Sequence, residues 1–123
     1  MSEIELNEIL RKRRLGSLLG LARKAGKVIA GTERVREEIR SGGNPGKICL
    51  VLLAADSSAN TRKRVVNCCS YYHKACLVCD LDTDSMGTAI GKAGSISAVG
   101  ITDQGLAEAL ARLINAPANQ GKE

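Results

Sequence analysis

Apolar residues recur along the chain in two patterns that take turns: spacings of three and four, and short unbroken runs. Leu15, Leu18, Leu19 and Ala22 follow the first pattern, which places them on one stripe of a helix from about Glu8 to Ala25. Gly16 and Gly20 lie one turn apart on it, a spacing that weakens the helix but allows close packing. Lys24-Ala-Gly-Lys27 ends the helix, with Gly26 suited to the left-handed position just past its end. Val28-Ile-Ala30 reads as a short strand. Gly31-Thr32 opens a second helix to about Ser41, with Thr32 as candidate N-cap and Val35 and Ile39 facing inward.

Ser41 to Gly46 is turn chemistry. Beyond it, Ile48 to Ala54 is a run of seven apolar residues without alternation, the pattern of a central strand covered on both faces. Asp56-Ser-Ser58 starts a third helix to about Tyr72, and Cys76–Cys79 forms a third strand. Asp82-Thr-Asp84 caps a short helix through Ile90, and Gly91 to Ser95 is a loop. Ile96–Ile101 is a fourth strand, and Thr102-Asp103 caps a last helix to about Asn115 with Leu106, Leu110 and Leu113 inward. Helices and strands thus alternate from end to end. Each strand needs cover on both faces, so the pattern predicts an α/β fold in which one sheet lies between two helical layers. The 123 residues suit a single domain, residues 1–116, followed by a flexible tail at 117–123.

Composition narrows the class. Hydrophobic residues make up 44% and charged residues 25%, as in an ordinary soluble domain, and apolar runs stay far short of the about 20 residues that span a bilayer. Met1-Ser-Glu-Ile-Glu5 lacks the basic start and apolar core of an export signal, so a cytoplasmic protein without a membrane partner is expected. Tyr71 and Tyr72 are the only aromatics, too few for a platform on which single-stranded bases stack. The net charge of +5 is unevenly placed: residues 1–64 carry 14 Lys/Arg against 7 Asp/Glu, whereas residues 65–123 carry 4 against 6. Cations gathered in one part of a chain suit a polyanion, because they displace condensed counterions from phosphates.

The five cysteines, Cys49, Cys68, Cys69, Cys76 and Cys79, are an odd number in a chain with no export signal, which argues against a disulfide framework. Cys69, His73, Cys76 and Cys79 have a spacing that suggests zinc. Cys76 and Cys79, however, are three apart on a predicted strand and project from opposite faces, whereas a zinc site needs its close pair in a turn. Core filling is the favoured reading, with no metal and no cofactor.

Catalytic patterns are missing too. The chain has no Walker-type loop, no Gly-rich dinucleotide fingerprint, and no base near Ser57 or Ser58. Asp80, Asp82 and Asp84 lack the glycine and the glutamate of a calcium loop. A non-enzymatic protein is expected.

Five stretches then stand in a recognisable order: Leu18-Leu-Gly-Leu-Ala-Arg-Lys-Ala-Gly-Lys27, Gly31-Thr-Glu-Arg-Val35, Leu50-Val-Leu-Leu-Ala-Ala-Asp56, Met86-Gly-Thr-Ala-Ile-Gly91 and Ala98-Val-Gly-Ile101. Together they resemble the kink-turn RNA-binding ribosomal proteins of the seven-Ae/thirty-e superfamily, in particular its small bacterial YlxQ-like branch, over about residues 10 to 115. The resemblance implies a three-layer α/β/α sandwich with a mixed four-stranded sheet. It also implies a ribosomal-protein-like function without catalysis, in which structured RNA is the partner, in a ribosome or other ribonucleoprotein, and no DNA is bound.

The implied RNA surface has two parts. One is the loop and helix start at Gly31, Thr32, Glu33 and Arg34, to which a helix N-terminus adds free N–H groups and Lys27 and Arg36 add nearby cations. The other is the loop before the last strand, where Ser95, Ile96 and Ser97 would meet an unstacked base. Extra phosphate contacts are expected from Arg11-Lys-Arg-Arg14 and from Arg62-Lys-Arg64. Where the family typically has Asn and Glu followed by Lys a turn later, this chain has Glu33, Arg34 and Glu37. General RNA binding and kink-turn specificity are therefore separate questions here. Those two glutamates motivate the alternative of a protein-interaction module on the same fold.

Overall fold

A computed structural model describes residues 1–42 and 47–115 of the chain. The elements are α1 (Glu3–Lys24), β1 (Val28–Ala30), α2 (Thr32–Ser41), β2 (Leu50–Leu53), α3 (Ala59–Tyr71), β3 (Ala75–Val78), α4 (Thr83–Ala89), β4 (Ala98–Ile101) and α5 (Gln104–Asn115). Their order is the alternation expected from the hydrophobic pattern. The expected tail at 117–123, and most of the Ser41–Gly46 turn, lie outside the described residues.

Boundaries differ where local chemistry outweighs periodicity. The first helix begins at Glu3 and not near Glu8, because Ser2 caps it: the Ser2 hydroxyl accepts from the Glu5 N–H at 3.1 Å and the Glu5 carboxylate accepts from the Ser2 N–H at 2.8 Å. Its other end closes as expected, with Gly26 at φ +74° and the Lys27 N–H donating to the Ala22 carbonyl at 2.9 Å. Gly20 lies close to α4, where a Cβ would sit 3.3 Å from the Ala89 carbonyl oxygen. Gly16 faces open space, so only one of the two glycines serves packing. Thr32 is the first helical residue of α2 and not its cap; Gly31 holds the cap position. Ile96 and Ser97 precede the last strand instead of opening it.

The sheet order is β1-β4-β2-β3. β4 runs antiparallel to both β1 and β2, and β2 runs parallel to β3, so the sheet is mixed. β2 is buried along its whole length because its side chains alternate between two cores. Leu50 and Leu52 meet Leu15 and Leu19 of α1, Met86 of α4 and Leu110 of α5. Val51 and Leu53 meet Val35 and Ile39 of α2 and Val65 and Cys69 of α3. Each such buried side chain contributes about 1.5–3 kcal/mol relative to exposure, which is why the chain sets its most continuous apolar run here. Among the described residues no helix is long and apolar enough to cross a membrane.

One consequence of this topology positions the candidate site. Because β4 is inserted antiparallel between β1 and β2, its start lies at the finishing ends of both. Ala30 pairs with Val99, and Leu53 pairs with Ala98. The loop that leads into β4 and the turn that leads into α2 are therefore neighbours, although about 60 residues separate them in sequence.

Candidate nucleic-acid interface

Gly31 stands between β1 and α2 with φ +106°, a conformation open to glycine and strained for residues with a Cβ. Its N–H donates to the Ala98 carbonyl at 2.9 Å, which ties the α2 entrance to the start of β4. The neighbouring loop is held from three sides. The Ser97 carbonyl accepts from the Ala54 N–H at 2.9 Å, the Ile96 N–H donates to the Thr83 carbonyl at 3.1 Å, and the Ser95 hydroxyl donates to Asp84 Oδ1 at 2.7 Å. Asp56 in turn accepts from the Thr83 N–H at 2.7 Å. At Gly87 of α4, a Cβ would fall 2.2 Å from the Gly94 carbonyl oxygen, so helix and loop touch backbone to backbone. The two predicted halves of the surface are thus joined into one rim.

The entrance to α2 differs from the other helix starts. Ser2, Ser58, Asp82 and Asp103 each accept a backbone N–H at the first turns of α1, α3, α4 and α5. At α2 no side chain does so. The N–H groups of Thr32, Glu33 and Arg34 have no intrahelical acceptor by the geometry of a helix start, so they point outward from the positive end of the helix dipole.

Charged side chains around these amides are already partly organised. Glu33 binds Arg36 at 3.0 Å and, across to α3, Arg64. Desolvation works to raise the Glu33 carboxyl, but the hydrogen bond and charge of Arg64, with those of Arg36, outweigh it and hold Glu33 below the usual carboxylate range. Glu37 pairs with Arg40 at 3.0 Å. The two glutamates that departed from the family pattern are therefore each neutralised by an arginine. Arg34 remains exposed beside Ile29, Glu37 and Glu38 and has no ion pair among the described residues. Arg62 stands at the same end of the sheet, past β2, its guanidinium donating to the Ala55 carbonyl at 3.0 Å and reaching the Ser57 hydroxyl at 3.3 Å.

Not every expected residue joins the rim. Lys27 precedes β1 at its opposite end, where its carbonyl accepts from the Thr102 N–H at 2.9 Å; four extended residues put its backbone roughly 13 Å from Gly31. Arg36 is turned toward Glu33 and is half-buried, its Nε enclosed without a partner among the described residues, so it braces Glu33 and offers no open cation. Ile96 packs against the core beneath α1 and α4 and is half-buried, leaving Ser95 and Ser97 as the more polar face of that loop. Arg11 is paired with Asp80 at 2.6 Å, away from the α2 entrance. Arg64 is the contributor whose role periodicity does not show: the basic run Arg62-Lys-Arg64 marks it, but its bridge to Glu33 depends on how α2 and α3 pack.

The cysteines are free and divide between the two cores. Cys76 packs with Cys69 and Cys68 beneath α2 and α3, whereas Cys79 is buried on the other face. A hydrogen bond to Cys76, reinforced by burial, pushes the Cys69 thiol up, so it stays protonated. Among the described residues no three His, Cys, Asp or Glu side chains are grouped to hold a metal ion.

Residues 13–111 match the model of the ribosomal protein L7Ae/L30e/S12e/Gadd45 family. The chain is similar to the RNA-binding protein YlxQ of Bacillus subtilis (strain 168), at 39% identity over 98 residues, which cover 80% of this chain and 92% of the relative. It is also similar to the RNA-binding protein YlxQ of Enterococcus faecium, at 37% identity over 100 residues, covering 80% and 88%. A solved protein of unknown function from Bacillus halodurans C superposes with a TM-score of 0.72 at 32% identity, covering 82% of this chain and 96% of that one. The Giardia lamblia 15.5kD RNA binding protein superposes with a TM-score of 0.60 over 93% and 87% of the two chains; at 16% identity it speaks for the fold alone.

Proposed function

This chain belongs to the ribosomal protein L7Ae/L30e/S12e/Gadd45 family, and from that premise we propose that it is a non-enzymatic RNA-binding protein that docks structured RNA on the rim formed by Gly31–Arg34 and Ser95–Ser97. The names of its YlxQ relatives support the ligand class. The observation that carries the location is the uncapped entrance to α2. Three outward amides, an exposed Arg34 and a glycine that lets a backbone approach closely support an anion site here, next to the loop before β4.

Phosphate would meet the amides of Thr32 to Arg34, with Arg62 and Arg64 on the α3 side. Arg34 is exposed beside these amides and can pair with the O6 and N7 of a guanine. The polar edge of Ser95 and Ser97 would meet sugar or base edges. The sheared guanine pairs of a kink-turn are the finer target within this reading. The rival reading, a protein-interaction module, rests on Glu33 and Glu37; their ion pairs with Arg36, Arg64 and Arg40 weaken it.

The test is fluorescence anisotropy with a kink-turn RNA and a fully paired duplex of equal length, each over a salt series. The expected result is tighter binding of the kinked RNA, with affinity falling linearly in log salt as phosphates are neutralised. Equal, weak and salt-insensitive binding of both would overturn the proposal.

A further inference from the structure

A groove of about 740 Å³ opens between α1 and α5, on the face of the sheet opposite α2 and α3. Leu10, Leu18, Leu21 and Leu113 line it, with Leu10 39% and Leu21 57% exposed. At about 100° per residue Leu10, Ser17 and Leu21 share one stripe of α1, and Arg13 and Arg14 stand on opposite sides of it. Arg112 adds a third guanidinium from α5. These three arginines are exposed and have no ion pair among the described residues, and no carboxylate lines the groove. The acidic residues of the two helices lie elsewhere. Glu5 and Glu8 fall on other faces of α1, Glu3 lies about two turns before Leu10, and the Glu108 carboxylate accepts from Gln104 Nε2 at 2.9 Å.

We propose that this groove docks an amphipathic helical segment of a partner protein, with leucine-like side chains along one stripe and carboxylates on both sides of it. The floor calls for apolar side chains. A helix laid along α1 would cover Leu10 to Leu21, roughly 16 Å or three turns, and take these leucines out of water. The rims call for carboxylates, because a guanidinium binds a carboxylate through two parallel hydrogen bonds and the groove supplies no carboxylate of its own. Arginines on both walls ask for acidic residues on both flanks of the stripe. RNA fits this surface less well than the α2 rim. Phosphate gains nothing from an apolar floor, and no aromatic ring lines the groove for a base to stack on. The chain's own residues 116–123 do not fit either, since they include no Leu, Ile, Val, Met or aromatic residue.

The test is fluorescence anisotropy of the nuclease-treated full chain with three stapled helical peptides of about 14 residues. One carries a leucine stripe flanked by glutamates, the second has lysines in place of the glutamates, and the third has serines in place of the leucines. The glutamate–leucine peptide is expected to bind at least about tenfold more tightly than either of the others. Arg13→Glu/Arg112→Glu, which changes exposed side chains only, is expected to reverse the preference toward the lysine peptide; circular dichroism checks that its helices remain. Amide NMR should place the bound peptide at Ser17, Leu21, Ala109 and Leu113. Equal binding of the three peptides, no binding at about 1 mM, or shifts centred elsewhere overturns the proposal. So does displacement of the peptide by a kink-turn RNA, which would make the groove part of the RNA surface. Concentration-dependent shifts of the same amides in the chain alone would give the groove to a second copy and overturn it equally.

Discussion

Arg34 and Lys27 lie within one short stretch of sequence, yet they stand at opposite ends of β1, and this separates their roles. Arg34→Glu should weaken binding to a kink-turn RNA by about tenfold or more, because it reverses the charge beside the α2 amides. Lys27→Glu should change the affinity far less. Anisotropy titrations of both variants decide this, and similar losses would move the site. Glu33 has a different part, since it balances Arg36 and Arg64. Its carboxyl is depressed in the folded state, so the α2–α3 bridge is fully formed above the ordinary carboxylate value of about 4.3 and is lost only as pH falls through the lower folded value. A carbon-detected NMR titration should give a Glu33 midpoint below that ordinary value; a midpoint at or above it would contradict the bridge. Glu33→Gln should release the two arginines and bind RNA a few-fold more tightly at low salt, as the same anisotropy assay would show. At this scale the sequence shows which side chains carry charge. It does not show that Arg36 turns inward or that Arg64 crosses to α2, because both follow from helix packing.

Elements were more legible, for reasons that differ between them. The run Ile48–Ala54 could be read as a central strand because burial on both faces removes alternation, and the Asp and Ser caps of α3, α4 and α5 announce themselves. Periodicity does not mark the start of α1, because its early turns carry no inward stripe; the capping box at Ser2 and Glu5 is the signal there. Contact between α4 and the loop before β4 was not readable, since it depends on a missing side chain at Gly87. Gly87→Ala should cost about 1–3 kcal/mol in urea unfolding by overpacking against Gly94, and should lower RNA affinity by shifting that loop. Unchanged stability would mean the loop yields freely. At the end of α3, His73 takes the left-handed position with φ +58°, and the Lys74 N–H closes the helix onto the Cys69 carbonyl at 2.8 Å. His73→Gly should therefore raise stability by about 0.5–1 kcal/mol in the same assay, whereas a loss would show that the imidazole makes a contact worth more than the strain.

For the whole molecule, the alternation of elements and the uneven charge were enough to reach an α/β/α sandwich with a cationic half. What the linear pattern could not give is the order β1-β4-β2-β3, and that order creates the rim, by bringing the last strand back between the first two. The measurement closest to the central claim is amide-resolved NMR of the chain titrated with a kink-turn RNA. The largest shifts should fall on the N–H groups of Thr32, Glu33 and Arg34 and on residues 95–97, with the far end of β1 near Lys27 unmoved. RNA bound with those amides unperturbed, and with shifts concentrated on another face, would contradict the account.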